Sequence, residues 1–406
     1  MVENSNIQVG KEPECILITS NLYKPNIGGI ENSLFHLSEE YVKKGFRVVI
    51  AVSDINSDGI QLPLCEEVNG VIILRYKAKE YRGALGFIKH VINAIVLYKK
   101  IKREYKPKHS ICRYHFNLVL MKLAGINNVT YLIPGVVKNE TRISPVETHS
   151  KLASYRAKLS FSFHKWLQNL SMTYSDNLVV FSQNMLEQVS ELTQRTDIQI
   201  GKPGVSLDRF KQLSNAEKKI VRENLNLASE KKVFLCIGRF VQAKGFETAI
   251  RAFSKLPFGQ AELWLLGEGP LETHFKALIT ELGCGGTVHI LGKKSNPEMY
   301  YMAADFFVMS SIYEPLGQTI LEALASGLPL ISAHSNENIV TATDEIICDE
   351  FNLFVKEHSV LGFYSAFEQA IRMSDKHYLD ISNFNRIQAE TRFSWGKLSS
   401  DLVDGT

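Results

Sequence analysis

The sequence predicts an α/β protein with two doubly wound domains, each a parallel sheet covered by helices on both faces. Three observations carry this. Segments such as Cys15-Ile16-Leu17-Ile18 and Val233–Ile237 are short and continuously apolar, as strands buried on both faces are. They alternate with helical segments through both halves of the chain. At 406 residues the chain is long enough for two full cores.

The elements follow in order. Glu14–Ser20 reads as a buried strand and Asn21–Gly29 as a loop. A helix follows from about Ile30 to Lys44, with Ile30, Leu34, Leu37, Tyr41 and Val42 on one face and Gly45 as its stop. Phe46–Val52 is the next strand. This βαβ unit places Gly28-Gly29 at a helix N-terminus. Val71–Tyr76 is a further strand, and alternating elements continue to about Ile200. The two domains meet near Lys202-Pro203-Gly204-Val205. Strands then recur at Val233–Ile237, Glu262–Leu266, Val288–Leu291, Phe306–Met309 and Pro329–Ser332. Helices recur at Phe246–Leu256, Leu271–Leu282, Pro297–Ala303 and Gly317–Ser326. Ligands of such sheets bind beyond the carboxyl ends of the strands, so the cleft between two such domains is the expected site.

Composition narrows the class. Hydrophobic residues at 45% and charged residues at 22% describe an ordinary soluble globular chain. Six scattered cysteines with no CxxC pair read as reduced packing residues of a cytoplasmic protein. The polar N-terminus, with Glu3, Lys11 and Glu12, does not read as a signal peptide, and no apolar run is long enough to span a bilayer. The net charge of +3 conceals an asymmetry. Between Arg75 and Ser175 stand 19 Lys/Arg and 4 Asp/Glu, a net +15 against −12 for the rest. Two amphipathic stretches, Phe87–Arg103 and Tyr155–Leu167, lie in this 75–175 segment. Basic faces with apolar and aromatic residues fit docking on an anionic membrane surface at the inner face of the plasma membrane. Ordinary surface helices packed on a core carry the same pattern. No nucleic-acid-binding module is recognisable.

Chemistry concentrates in three places. Ile237–Phe246 joins a strand to a helix, with Gly238 and Arg239 at the strand end and Lys244 just before the helix. Both cations can reach an anion there, Arg239 as a planar fork and Lys244 as a point charge. Asn26–Glu31 holds the matching position in the first half, where Gly28 and Gly29 would let backbone N–H groups touch a phosphate; an isolated Gly-Gly pair also suits a plain tight turn. In Ser310–Ala323, Glu314 precedes a helix and Glu322 lies two turns into it. Pro315 suits a first helical turn, and Gly317 permits close ligand approach. Were those eight residues all helical, the two acids would lie ~12 Å apart. Hydrolytic carboxylate pairs stand about 5–9.5 Å apart, so these acids address different parts of one ligand. A dipole contact for Glu314 and a surface position for Glu322 remain the plain alternative.

Together these stretches resemble the family-4 retaining glycosyltransferases, which have the GT-B fold of two Rossmann-like domains facing a cleft. The matching segments are IGRFVQAKGF, LLGEGP, Val288–Gly292 and the two acids running into EALASGLPLISA. KPGVSLDRF, NIGGIENSLFHLSEEYVKKGFRVVIAV and the terminal FSWGKLSSDL also match. The likeness covers nearly the whole chain and is loosest between Val71 and Asn169. It implies an acceptor-side domain at 1–203, a donor domain at 204–380 and a closing helix at 381–406 that crosses back.

The resemblance also implies roles. Arg239 and Lys244 match the pair that binds the donor diphosphate, and Gly29 the glycine facing it. Glu322 matches the acid on the ribose. Glu314 matches the acid beside the transferred sugar, and Leu316, Gly317 and Gln318 the loop whose backbone reaches sugar and phosphate. Gly292 and Lys293 lie where the nucleobase sits. His115 resembles a histidine near the donor sugar, though alone it reads as a packing or surface residue. Many members carry Gly-Phe-Gly where this chain has Pro315-Leu316-Gly317, which reshapes the sugar pocket. The implied reaction is retaining transfer from a nucleoside-diphosphate sugar to a hydroxyl of a glycan or lipid-linked acceptor, such as a lipopolysaccharide core. Cations would stand in for a metal, no DxD-type cluster is present, and domain closure would complete the site. A glycoside phosphorylase or a non-catalytic nucleotide-sugar binder are the competing expectations.

Overall fold

A computed structural model describes residues 13–26, 28–78, 83–137, 151–227, 231–315 and 317–404, apart from the side chains of 83–84 and 151–156. The chain forms two compact units. Met1–Ile133, Trp166–Val179 and Ser399–Thr406 make up the first; Pro134–Lys165 and Val180–Leu398 make up the second.

The first unit contains β1 (Cys15–Thr19), β2 (Arg47–Ser53), β3 (Cys65–Val68), β4 (Val71–Tyr76), β5 (His109–Cys112), β6 (Val129–Leu132) and β7 (Asn177–Val180). Across this unit the sheet runs β3-β4-β2-β1-β5-β6-β7. Every pair is parallel except β3 with β4. All five residues of β1 are buried, as a continuous apolar run requires. The helix Gly29–Lys43 buries Leu34, Leu37 and Tyr41 at helical spacing. It ends where Gly45 takes φ 82°. Near the C-terminus the Tyr41 hydroxyl donates to Ser399 O at 3.0 Å, and Lys44 donates to the Ser399 and Ser400 hydroxyls.

In the second unit a short strand, β8 (Ile198–Ile200), comes first. Then follow β9 (Lys232–Ile237), β10 (Ala261–Leu266), β11 (Val288–Gly292), β12 (Phe306–Met309), β13 (Tyr313–Glu314), β14 (Leu330–Ala333), β15 (Val340–Thr341) and β16 (Leu353–Val355). The main sheet runs β11-β10-β9-β12-β14-β16, parallel throughout. Successive residues of β9 point to opposite cores. Phe234 and Cys236 join one cluster, and Val233 and Leu235 the other. Helices therefore cover both faces, and the doubly wound reading holds.

Two features were not foreseen. β3 is an exposed edge strand folded back through a tight turn at Asn69 (φ 53°) and Gly70 (φ 77°). β13 and β15 form a separate parallel pair, with Tyr313 beside Val340 and Glu314 beside Thr341.

Candidate active site

The second unit's sheet reverses direction beside β9, its first strand. β10 lies on one side and β12 on the other. The loops leaving β9 and β12 therefore open at a topological switch point, where open α/β sheets bind ligands. Backbone bonds lock these loops together. Gly238 N donates to Leu266 O at 3.0 Å, Phe240 N to Glu268 O at 2.9 Å and Gly267 N to Gly292 O at 3.1 Å. Across the switch point Ile312 N donates to Ala243 O at 2.9 Å, and the Ser310 hydroxyl donates to Lys244 O at 2.9 Å. Gly245 sits between them at φ 62°, where any Cβ would strike the Ser310 carbonyl.

The charged groups sit on this frame. Gln242–Lys244 is a single 3-10 turn ahead of the helix Phe246–Phe253. It delivers Lys244 into an ion pair with Glu314, both half-buried. The other oxygen of that carboxylate, Oε1, accepts from Gly317 N at 3.3 Å. Glu314 thus spans a cation and a backbone N–H, two groups suited to an anionic ligand. Arg239 is exposed and makes no side-chain hydrogen bond or ion pair among the described residues.

The surroundings of the two acids differ from the sequence expectation. Glu314 lies on β13, not in a loop. Gly317 takes φ 71° as the N-cap, so the helix is Gln318–Ala325 and excludes Pro315. Glu322 is its fifth residue, a little over one turn in. Glu322 is buried, and that burial pushes its carboxyl up to about 7. The neighbouring Tyr301 hydroxyl and the Arg209 charge oppose the rise. Tyr301 also donates to Thr319 O at 3.3 Å, and Arg209 pairs with Glu298 at 2.7 Å. Neither Tyr301 nor Arg209 was singled out in the sequence. No local pattern marks them, because the fold brings them to Glu322 from separate segments.

The remaining expected residues are placed as follows. Gln318 donates from Nε2 to Gly204 O at 3.3 Å, while its Oε1 is buried without a partner. Gly292 takes φ 72°, with open space where a Cβ would stand. Lys293 pairs with Glu268 at 2.7 Å, so the LLGEGP loop supplies it with a counter-charge. Leu316 lies outside the described residues.

In the first unit the switch point falls at β1, between β2 and β5. Gly28 caps the helix after β1. Gly29 opens that helix, and a Cβ there would meet no atom within 4 Å. Glu31 folds back against Gly28, and burial raises its carboxyl above the usual range. Arg113, fully buried after β5, donates to the Ser33 hydroxyl. Burial lowers its guanidinium to about 10, which the Glu31 charge opposes. His115 opens the helix His115–Leu123 and is buried; its carbonyl accepts from the Ser171 hydroxyl at 2.8 Å, and its ring lies 4.7 Å from that of Tyr114. The resemblance led to His115 but not to Glu31 or Arg113.

Among the described residues His334, Asp344 and Asp349 could gather round a cation. The imidazole spends Nδ1 on Asp344 at 2.7 Å and faces Asp349 at 3.5 Å through Nε2. Both ring nitrogens already face carboxylates, so the three side chains are not a preformed ligand set.

Residues 217–386 match the family described as glycosyl transferases group 1. This stretch is a group 1 glycosyl transferase domain. The lipopolysaccharide core biosynthesis glycosyltransferase LpsE of Rhizobium meliloti is 31% identical over 55% of this chain. That match spans 58% of LpsE. Sucrose-phosphate synthase from Thermosynechococcus elongatus aligns over 96% of this chain and 98% of its own at a TM-score of 0.78 and 18% identity. Anabaena Alr3699/HepE, solved with UDP-glucose, aligns over 96% and 98% at 0.72 and 15% identity. The group 1 domain here thus sits within a chain of GT-B fold, and it contains Arg239, Lys244, Glu314 and Glu322.

Proposed function

We propose that the chain is a retaining glycosyltransferase that moves a sugar from a nucleoside-diphosphate sugar to an acceptor hydroxyl, in the synthesis of a cell-surface glycan or glycolipid. The observation that carries this is the array at the β9/β12 switch point. Arg239 is open, and Lys244 and the Gly317 N–H are held on one carboxylate. The names of the relatives support the reaction class and the glycan setting. The UDP-glucose complex of a like-folded protein supports a nucleotide-sugar donor.

In this reading the bond from the sugar's anomeric carbon to the diphosphate oxygen breaks. A bond to the acceptor oxygen forms on the same face. The acceptor's proton passes to the departing phosphate. Arg239, Lys244 and the Gly317 N–H stabilise the charge that grows on that phosphate. Glu314 keeps Lys244 in place and offers its carboxylate to the sugar hydroxyls. Glu322 accepts from the ribose hydroxyls, and Gly29 admits the diphosphate to a helix N-terminus. Gly292 and Lys293 flank the base, and the resemblance gives His115 its role at the sugar. No metal takes part.

The test is a screen of nucleotide-sugars for glycosyl transfer, run with a chelator present. Transfer with retained anomeric configuration and no metal requirement supports the proposal. Sugar release that needs inorganic phosphate and no nucleotide would replace it with a phosphorylase. Strict dependence on a divalent cation would remove its metal-free part.

A further inference from the structure

Tyr301 stands on the helix Pro297–Ala303 and is fully buried. Its ring is clamped from two sides. Phe307 of β12 stacks on it at 5.5 Å, and Phe210 meets it edge-on at 5.3 Å. The hydroxyl is therefore fixed in place, free only to turn its hydrogen. It donates to Thr319 O at 3.3 Å. Thr319 and Glu322 are three residues apart on the helix Gln318–Ala325, so they neighbour each other on one face. The Glu322 carboxyl is within hydrogen-bond reach of the same hydroxyl. Packing does not call for that hydroxyl, since a phenylalanine would fill the same aromatic nest. Nor does the Thr319 carbonyl, which lies inside its helix and is served there by the N–H four residues on. A buried hydroxyl costs desolvation, and Glu322 is the neighbour that gains from it.

We propose that Tyr301 is a positioning residue of the nucleotide site: its hydroxyl hydrogen turns from the Thr319 carbonyl to the Glu322 carboxylate as that acid ionises, and so holds Glu322 in the form that accepts from ribose. The role rests on the proposed contact of Glu322 with the ribose. The charged groups facing Glu322 are Arg209, Glu298 and Glu314. The two acids oppose its ionisation. Arg209 favours it, but is part-exposed to screening water and paired with Glu298 at 2.7 Å. Burial works against the charged form more strongly than any of these. Tyr301 opposes burial with a hydrogen bond from inside the protein, where no water screens it.

The test compares the parent with Tyr301→Phe in two ways. Chemical denaturation across pH needs no nucleotide. In the parent, stability falls as pH rises from 4.5 to about 7. In Tyr301→Phe that fall should extend upward by about one pH unit, because the ionised carboxylate has lost a hydrogen bond. Adding Glu322→Gln should erase this difference between the two proteins. UDP binding is then titrated over the same range. Tyr301→Phe should bind roughly fivefold more weakly at about pH 7 and come close to the parent at about pH 9. A packing defect would weaken binding by one factor at every pH. An unshifted stability profile, a shift that persists beside Glu322→Gln, or a binding loss that raised pH does not restore overturns the proposal. Absence of UDP binding by the parent would overturn the donor reading and the ribose role with it, whereas failure of the Tyr301 contact shows in the stability profiles alone.

Discussion

Both units turn their sheets at the first strand, yet they equip the two switch points differently. In the second unit Lys244 and Glu314 are half-buried and Arg239 is exposed; Lys244 ends a 3-10 turn, Glu314 lies on β13 and Arg239 leaves β9, segments tied together by backbone bonds. In the first, Arg113 is fully buried, Glu31 is half-buried in the first turn of its helix, and a Cβ at Gly29 would meet only open space. A charge helps a ligand only if it is reachable and held still. In the second unit Lys244 is held by Glu314, while Arg239 is reachable and has no side-chain partner among the described residues. For the first unit the proposed counterpart is the backbone N–H at Gly29, which opens a helix.

The contrast between the units is most exposed at the cations. Arg239→Ala should cut transfer by roughly 10²–10³-fold, the range for losing one preorganised donor. Its melting temperature should stay level, because Arg239 has no side-chain partner among the described residues. Lys244→Ala should cut transfer as deeply but also lose stability, since Glu314 is left half-buried without its counter-charge. Steady-state rates and thermal melts of both variants check this difference.

Two glycines separate structural from ligand constraints. Gly245→Ala meets a carbonyl at positive φ and should cost on the order of 3 kcal/mol in denaturant unfolding. Gly29→Ala has room for its methyl and should leave stability within about 0.5 kcal/mol. Its donor affinity should nevertheless fall roughly tenfold, the worth of about one hydrogen bond. Unchanged affinity would leave Gly29 as a turn residue only.

A further effect concerns pH. Burial raises Glu322 from its ordinary 4.5 to about 7. The folded chain then holds a proton that the unfolded chain has released. Stability therefore falls as pH rises from 4.5 to about 7 and levels off above it. Glu322→Gln should flatten this dependence and gain up to the order of 3 kcal/mol at about pH 8. In the parent, donor binding should tighten as pH approaches about 7, because ribose hydroxyls need an ionised acceptor. Melts and binding titrations across that window read both slopes.

Most of the fold was legible because buried parallel strands announce themselves. Val71–Tyr76, Phe306–Met309 and Pro297–Ala303 match the sequence reading residue for residue. β3 escaped because Glu66 and Glu67 hide a strand, although Asn69-Gly70 signals the hairpin. β13 and β15 escaped because a two-residue pair joining Tyr313 to Val340 has no local pattern. The positions of Arg239 and Lys244 relative to β9 were legible from strand-to-helix order. The Lys244–Glu314 pair was not, nor were Tyr301 and Arg209 near Glu322. Each is a contact between distant segments, which periodicity does not encode.

The central claim is that the β9/β12 switch point binds a diphosphate through Arg239 and Lys244. The thermal shift of the parent and of Arg239→Ala on adding UDP decides it, since a ligand of the native state raises its apparent stability. The parent should shift upward, and Arg239→Ala should lose that shift. An equal shift in both proteins would remove Arg239 from the diphosphate site.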